Sequence, residues 1–131
     1  MATFEKFEEI ISWKEARQLN RSLIYLIKNR RFENDYRLIN QIVGSAGSIM
    51  DNIAEGFERG GNKEFVQFLY IAKGSCGEFR SQVYRALDNG YITESEFEIL
   101  STQAKKINFL IQKLITYLKF TGIKGHKFKE S

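Results

Sequence analysis

Apolar residues recur at steps of three and four along almost the whole chain, in four runs separated by short breaks. That is the period of a helix with one buried face. Trp13, Ala16, Leu19, Leu23, Leu26 and Ile27 form the first run, and Ile42, Ala46, Ile49, Ile53 and Phe57 the second. Phe65, Leu69, Ala72, Cys76, Phe79 and Val83 form the third. The fourth, Phe97, Leu100, Ala104, Ile107, Ile111, Leu114 and Leu118, alternates threes and fours without an error, the a/d pattern that packs helices left-handedly at about +20°. The breaks carry helix-ending chemistry. Ser12 with Glu15, and Thr93 with Glu96, have capping-box spacing. Asn34 or Asp35, and Asn62, are candidate N-caps, while Gly60-Gly61 and Asn89-Gly90 supply the positive φ that ends a helix. The pattern predicts helices over 12–29, 35–59, 62–88 and 94–120, the last roughly 39 Å long. Residues 30–34 read as a short polar connection, and 121–131 as a basic, flexible tail. Long rods joined by a few residues fold most economically up-down-up-down. The expectation is one all-α domain over 1–120, a left-handed four-helix bundle.

A polar seam runs beside the second and third apolar stripes. It holds Ser45, Ser48, Asn52, Glu55 and Arg59 before the Gly60-Gly61 turn, and Glu64, Ile71, Ser75, Glu78 and Gln82 after it. These residues carry a resemblance. Ser48-Ile49, Asn52-Ile53-Ala54-Glu55-Gly56, Arg59, Glu64-Phe65, Phe68-Leu69, Ile71-Ala72, Gly74-Ser75, Glu78 and Gly90-Tyr91, with Trp13 and Ala16 upstream, are similar to a known signature. It is that of the four-helix-bundle proteins encoded in intervening sequences of bacterial 23S ribosomal RNA genes, a family related to the accessory proteins of diversity-generating retroelements. The resemblance covers roughly Phe4 to Leu118. It implies a left-handed four-helix bundle, assembly into a homopentameric barrel and no known enzyme activity. For the retroelement branch it implies binding of nucleic acid and of a reverse transcriptase. The chain departs from the family at Met50, where proline is usual. With the resemblance, Ser48, Asn52, Glu55, Arg59, Glu64, Phe68, Ile71, Ser75 and Glu78 are expected to serve bundle and subunit packing. Spacing alone also fits a solvated face with weak ion pairs.

Composition narrows the classes. A chain of 131 residues with 43% hydrophobic and 27% charged residues suits one ordinary globular core. No apolar run approaches the ~18 residues of a membrane span, and the acids of Phe4-Glu5-Lys6-Phe7-Glu8-Glu9 sit where a signal peptide would be apolar. A cytoplasmic location is expected, with no membrane partner. The single Cys76 lacks a disulfide mate and a basic activator, and reads as a small core residue. The single histidine, His126, lies in the tail, so no Glu-x-x-His metal site and no His-based triad can be built in the core. Neither catalytic nor metal-binding residues are expected, nor a cofactor, nor a small-molecule substrate; Glu55 and Glu78 could pair as acid and base, but two carboxylates on adjacent helices are an ordinary surface feature. Gly44-x-x-Gly47 and Gly74-x-x-Gly77 sit inside helical patterns and are expected to allow close helix approach.

Apolar surface exceeds what one bundle hides. Phe68, Ile71, Phe109, Leu110, Ile115 and Tyr117 lie outside the strict stripes, and Leu23 and Ile24 widen the first. Self-association follows as an expectation. Charge adds a partner class. The net charge is +4, with nine basic and nine acidic residues in 1–60 against eleven and seven in 61–131. A five-fold ring would carry 5 × 4 = +20. Lys105, Lys106, Lys113, Lys119, Lys124, Lys127 and Lys129 are the candidate nucleic-acid contacts. No base-reading motif accompanies them, so contact with RNA or DNA would be directed at phosphates and insensitive to sequence. The expected function is a non-catalytic homo-oligomer that contacts RNA or an RNA-associated protein. The alternative is a protein-interaction scaffold, for example for a reverse transcriptase, whose lysines only aid solubility.

Overall fold

A computed structural model describes residues 4–121. A 3-10 turn at Phe7–Glu9 leads into α1 (Ile11–Arg30), followed by α2 (Tyr36–Glu58), α3 (Asn62–Asp88) and α4 (Glu94–Thr121). Among the described residues there is no strand. Every residue of the fourth run is buried, as are Ile42, Ala46, Ile49, Ile53 and Phe57 of α2 and Phe65, Leu69, Ala72, Cys76, Phe79 and Val83 of α3. Leu23 of the first run is fully buried, and so is Ile115, expected as surplus apolar surface outside the strict stripe. A helix that touches two neighbours buries an arc wider than a strict a/d seam. α2 passes Met50 as an unbroken helix, since methionine keeps the backbone N–H that proline lacks.

Side-chain pairs give the directions. Ser45 donates to Gln82, Ser75 to Ser48 at 2.9 Å, and Arg85 to Gln41 at 2.9 Å, so numbers rise along α2 as they fall along α3. The same reversal relates α1 to α4, where Gln103 donates to Ser22 at 3.2 Å and Lys106 pairs with Glu15 at 3.4 Å. Between α1 and α2, the Asn20 amide donates to the Ala46 carbonyl at 2.8 Å and to its own helix at Ala16. α2 and α3 approach closely at Gly56, where an added Cβ would stand 2.6 Å from the Phe68 Cβ. By contrast, a Cβ on Gly44, Gly47, Gly74 or Gly77 would meet nothing within 4 Å. The glycine pairs expected to permit close approach do not serve it within one chain.

Helix ends follow local chemistry with two exceptions. The α4 capping box forms in both directions, Thr93 N to Glu96 Oε1 at 2.8 Å and Glu96 N to Thr93 Oγ1 at 3.1 Å. Thr93→Ala is expected to cost about 1 kcal/mol, read as a lower denaturant midpoint without a change in helix content. Gly90, at φ 76°, closes α3 as a Schellman motif, with Gly90 N on Leu87 O and Tyr91 N on Ala86 O, both 2.9 Å. Asp35 caps α2 by accepting from Leu38 N at 3.1 Å. The Ser12–Glu15 box does not form. Ile10, itself in the core, occupies the N-cap position, and Ser12 is buried one residue inside the helix. Asn62 is the first helical residue of α3, after an N-cap at Gly61, so it does not cap either.

The connection after α1 is not a plain polar link. Arg31, Phe32, Glu33 and Asn34 all have positive φ, 63°, 47°, 49° and 61°, a left-handed run costing non-glycine residues about 1–2 kcal/mol each. Phe32 holds it: its ring is fully buried and stacks on Tyr91 at 5.7 Å. The Tyr91 hydroxyl in turn donates to Asp35 Oδ2 at 2.9 Å. The Leu38 N–H and then this hydroxyl hold the Asp35 carboxyl below its ordinary 3.8. The same hydrogen bond raises Tyr91 above its ordinary 10.0. The carboxylate's contribution is therefore present above 3.8 and lost as pH falls through the lowered value. The phenol's is present below 10.0 and lost as pH rises through the raised one. Tyr91→Phe is expected to flatten the alkaline limb of a plot of denaturation midpoint against pH and to reduce the acid limb only in part, because the Leu38 N–H still holds Asp35; an unchanged alkaline limb would refute this coupling.

Candidate nucleic-acid interface

Charge is sorted by helix rather than by half of the chain. α1 carries five basic residues, Lys14, Arg17, Arg21, Lys28 and Arg30, against Glu15 alone, and all five are exposed. α4 has its three acids, Glu94, Glu96 and Glu98, at its start; beyond them come only Lys105, Lys106, Lys113 and Lys119. Because α1 and α4 run antiparallel, the acidic start of α4 lies beside the end of α1, where Arg30 Nε stands 3.6 Å from Glu96. The lysine-bearing stretch of α4 then lies beside the first half of α1, at the Glu15–Lys106 pair. One flank of the molecule is thus cationic. α2, by contrast, has Asp51, Glu55 and Glu58 against Arg37.

Of the four expected lysines in this region, Lys106 and Lys113 belong to the α1 side. Lys106 meets Glu15, and Lys113, with its ammonium 5.7 Å from the Phe109 ring, borders a hollow shared with Ile11 and Ser12. Lys105 is exposed. Lys119 faces α3 instead, 3.4 Å from the Tyr70 hydroxyl and 5.7 Å from its ring. Lys124, Lys127 and Lys129, like His126, lie outside the described residues. Sequence reasoning missed Lys14, Arg17, Arg21 and Lys28 as one surface, since the nine acids of 1–60, eight of them outside α1, cancelled them in a count over that half. A count within the predicted first helix would have found them.

The polar seam lies on the other flank, between α2 and α3. Asn52 donates to the Ser48 carbonyl and hydroxyl at 2.8 and 2.9 Å, and Ser75 reaches the same hydroxyl. Arg59 pairs with Glu55 at 2.8 Å and lays its guanidinium 4.9 Å over the Phe68 ring. Glu64 folds against Gly61, while Ile71 and Glu78 face outward. The Glu55–Arg59 pair is half-exposed and contributes only about 0.3–0.5 kcal/mol. Among the described residues no group of three or more His, Cys, Asp or Glu side chains is placed to hold a metal ion. Burial pushes the Cys76 thiol up to about 12, so at neutral pH it is a packed thiol and not a nucleophile. Among the described residues no helix is long and apolar enough to cross a membrane.

The class these features define is an all-helical protein of four long helices with one cationic flank and one hydrogen-bonded polar seam. A family model described as 23S rRNA-intervening sequence protein matches residues 8–113. The chain belongs to that family. Among solved structures it is similar to the 1.70 Å crystal structure of a protein of unknown function from the S23 ribosomal protein family from Bacteroides thetaiotaomicron VPI-5482. That likeness has a TM-score of 0.69 at 21% identity, covers 80% of this chain and 98% of the other, and is one of fold. No curated protein matches this chain significantly.

Proposed function

We propose that this protein is a non-catalytic, self-assembling four-helix bundle, up-down-up-down and left-handed, whose α1/α4 flank contacts RNA or other nucleic acid through its phosphates. The observation that carries the reading is the pooling of Lys14, Arg17, Arg21, Lys28, Lys105, Lys106 and Lys113 on two adjacent helices, opposed there by few acids. Lysine and arginine arrayed on a rigid face neutralise phosphates without reading bases. A cytoplasmic homopentamer, the assembly that the family resemblance implies, would repeat that flank five times and strengthen a weak patch by multivalency. Exposed Ile71, Ile99 and Phe109, at 51%, 54% and 61%, supply apolar surface for subunit contacts. The same residues favour the second reading, a protein scaffold for a nucleic-acid-processing partner.

Fluorescence anisotropy with a structured RNA at several salt concentrations separates the two. The nucleic-acid reading expects the logarithm of affinity to fall linearly with the logarithm of salt, by ~0.7–0.9 per phosphate contacted. Absence of binding by micromolar protein at low salt would leave the scaffold reading standing. For assembly, Ile71→Glu or Phe109→Glu should lower the mass seen in light scattering. Phe68→Glu is a poor test, since Phe68 is half-buried against Gly56 under Arg59 and its loss would disturb the chain itself.

A further inference from the structure

The connections of the bundle turn by different means. After α2 and after α3, Gly60 and Gly90 supply the positive φ, at 90° and 76°, and a glycine has no Cβ to clash there. The connection between α1 and α2 contains neither glycine nor proline. It turns instead through Arg31, Phe32, Glu33 and Asn34, the only non-glycine residues of positive φ among the described residues. Residues with a Cβ visit this region singly and not in runs. The ordinary helical conformation is open to all four, and Glu33 and Asn34 are exposed, so their side chains do not call for the left-handed one. Distant contacts hold the bend: Phe32 is buried against Tyr91, and Arg30 Nε donates to the Tyr91 carbonyl at 3.4 Å. Strain confined to a short connection is released when that connection straightens.

We infer that this connection is a hinge through which α1 is exchanged between two copies of the chain. With residues 31–35 in ordinary helical conformation, α1 and α2 join into one helix over 11–58, about 72 Å long at ~1.5 Å per residue. α1 then points away from its own α2 and α4. The identical groove of a second copy receives it, and the same contacts form between chains: Asn20 with the Ala46 carbonyl, Gln103 with Ser22, Lys106 with Glu15. Core and cationic flank are kept in kind. What changes is the strain of the hinge and the surface where the two long helices cross. The sequence supplies that surface: Tyr25, Phe32 and Tyr36, spaced by seven and four, fall on one face of a straight helix. Tyr25 and Tyr36 are 67% and 65% exposed in the closed chain, and two such helices crossing near their midpoints bring these faces together. The exchange uses none of Ile71, Ile99 and Phe109 and does not depend on the nucleic-acid reading.

The test refolds a mixture of unlabelled and heavy-isotope-labelled full-length chains from denaturant at several concentrations. A carbodiimide, which couples a carboxylate to an amine in contact with it, then fixes the Glu15–Lys106 pair, 3.4 Å apart. Mass spectrometry reads whether the two residues come from one chain or from two. The expected result is Glu15–Lys106 links of mixed label, in a share that rises with the concentration at refolding. Glu33→Gly with Asn34→Gly, at two exposed positions, should lower that share at least about tenfold, since glycine takes the left-handed conformation without a steric cost and weakens the straight helix. Asn34→Ala alters one of the same positions in the opposite sense, towards helix, and should raise the share several-fold. Absence of mixed links at every concentration would overturn the proposal. So would an equal share in the glycine variant: Glu15 and Lys106 would then meet across an ordinary subunit contact, which leaves self-assembly standing and removes the exchange.

Discussion

An alanine at position 56 is expected to lower the unfolding free energy by about 1–3 kcal/mol, although alanine favours helix over glycine by about 1 kcal/mol. The added methyl would stand 2.6 Å from the Phe68 Cβ and 3.2 Å from the Phe65 ring. The Phe68 Cβ is the root of a side chain and cannot swing aside, so α3 itself must move away from α2. Gly74→Ala is the matched control. It lies in α3 with open space where its Cβ would be, and should gain up to about 1 kcal/mol from helix propensity alone. Denaturant midpoints at one protein concentration should therefore move in opposite directions for the same chemical change. A Gly56→Ala midpoint equal to or above that of the unaltered protein would show that the α2/α3 approach is looser than described.

The triple reversal Arg17→Glu, Arg21→Glu and Lys28→Glu is expected to weaken RNA binding by several hundredfold at about 0.1 M salt. Every phosphate that is no longer neutralised takes ~0.7–0.9 off the salt slope, so three take off about two to three. At 0.1 M this corresponds to two to three decades of affinity. All three residues are exposed on α1, and glutamate is a good helix former, so the fold should survive. Lys119→Glu is the comparison: it sits on the α3 side against Tyr70 and should change affinity only a few-fold. Equal weakening by the two variants would mean that net charge alone attracts RNA and that the α1/α4 flank is not the contact surface. Unchanged affinity in the triple variant would remove the nucleic-acid reading of this flank altogether.

The residues of α4 show why so much of the helical architecture could be read from the chain. Phe97 through Leu118 repeat at helical spacing, and Thr93 with Glu96 marks the start by a contact only three residues long, which nothing distant can alter. Ser12 and Glu15 have the same spacing and fail. There the 3-10 turn at Phe7–Glu9 brings Ile10 into the core at the N-cap position and draws Ser12 under cover. Burial of isoleucine outweighs a cap of about 1 kcal/mol. Phe32 was illegible for a related reason. A lone aromatic in Arg-Phe-Glu-Asn has no period, and its stacking on Tyr91, fifty-nine positions away, is a product of assembly in space.

The basic flank was legible only in part. Lys106 and Lys113 could be placed on the outer side of α4 by periodicity, but their neighbours Lys14, Arg17 and Arg21 come from the far end of the chain. Which helices lie side by side is a fact about packing, and charge adds up over distance in space, not along the sequence.

The sequence by itself determined the elements: four amphipathic helices, the α4 capping box, the glycine stops and an apolar stripe on each rod. These are local or periodic properties, set by backbone stereochemistry and by hydrophobic spacing within one helix. Only the tertiary structure decided that α1 and α4 pool their cations, that Gly56 and not the other helical glycines is needed for close approach, and that Ser12 is buried inside α1 instead of capping it. Each of those depends on what a second helix brings to within a few ångströms, and no periodicity within one segment encodes its neighbour.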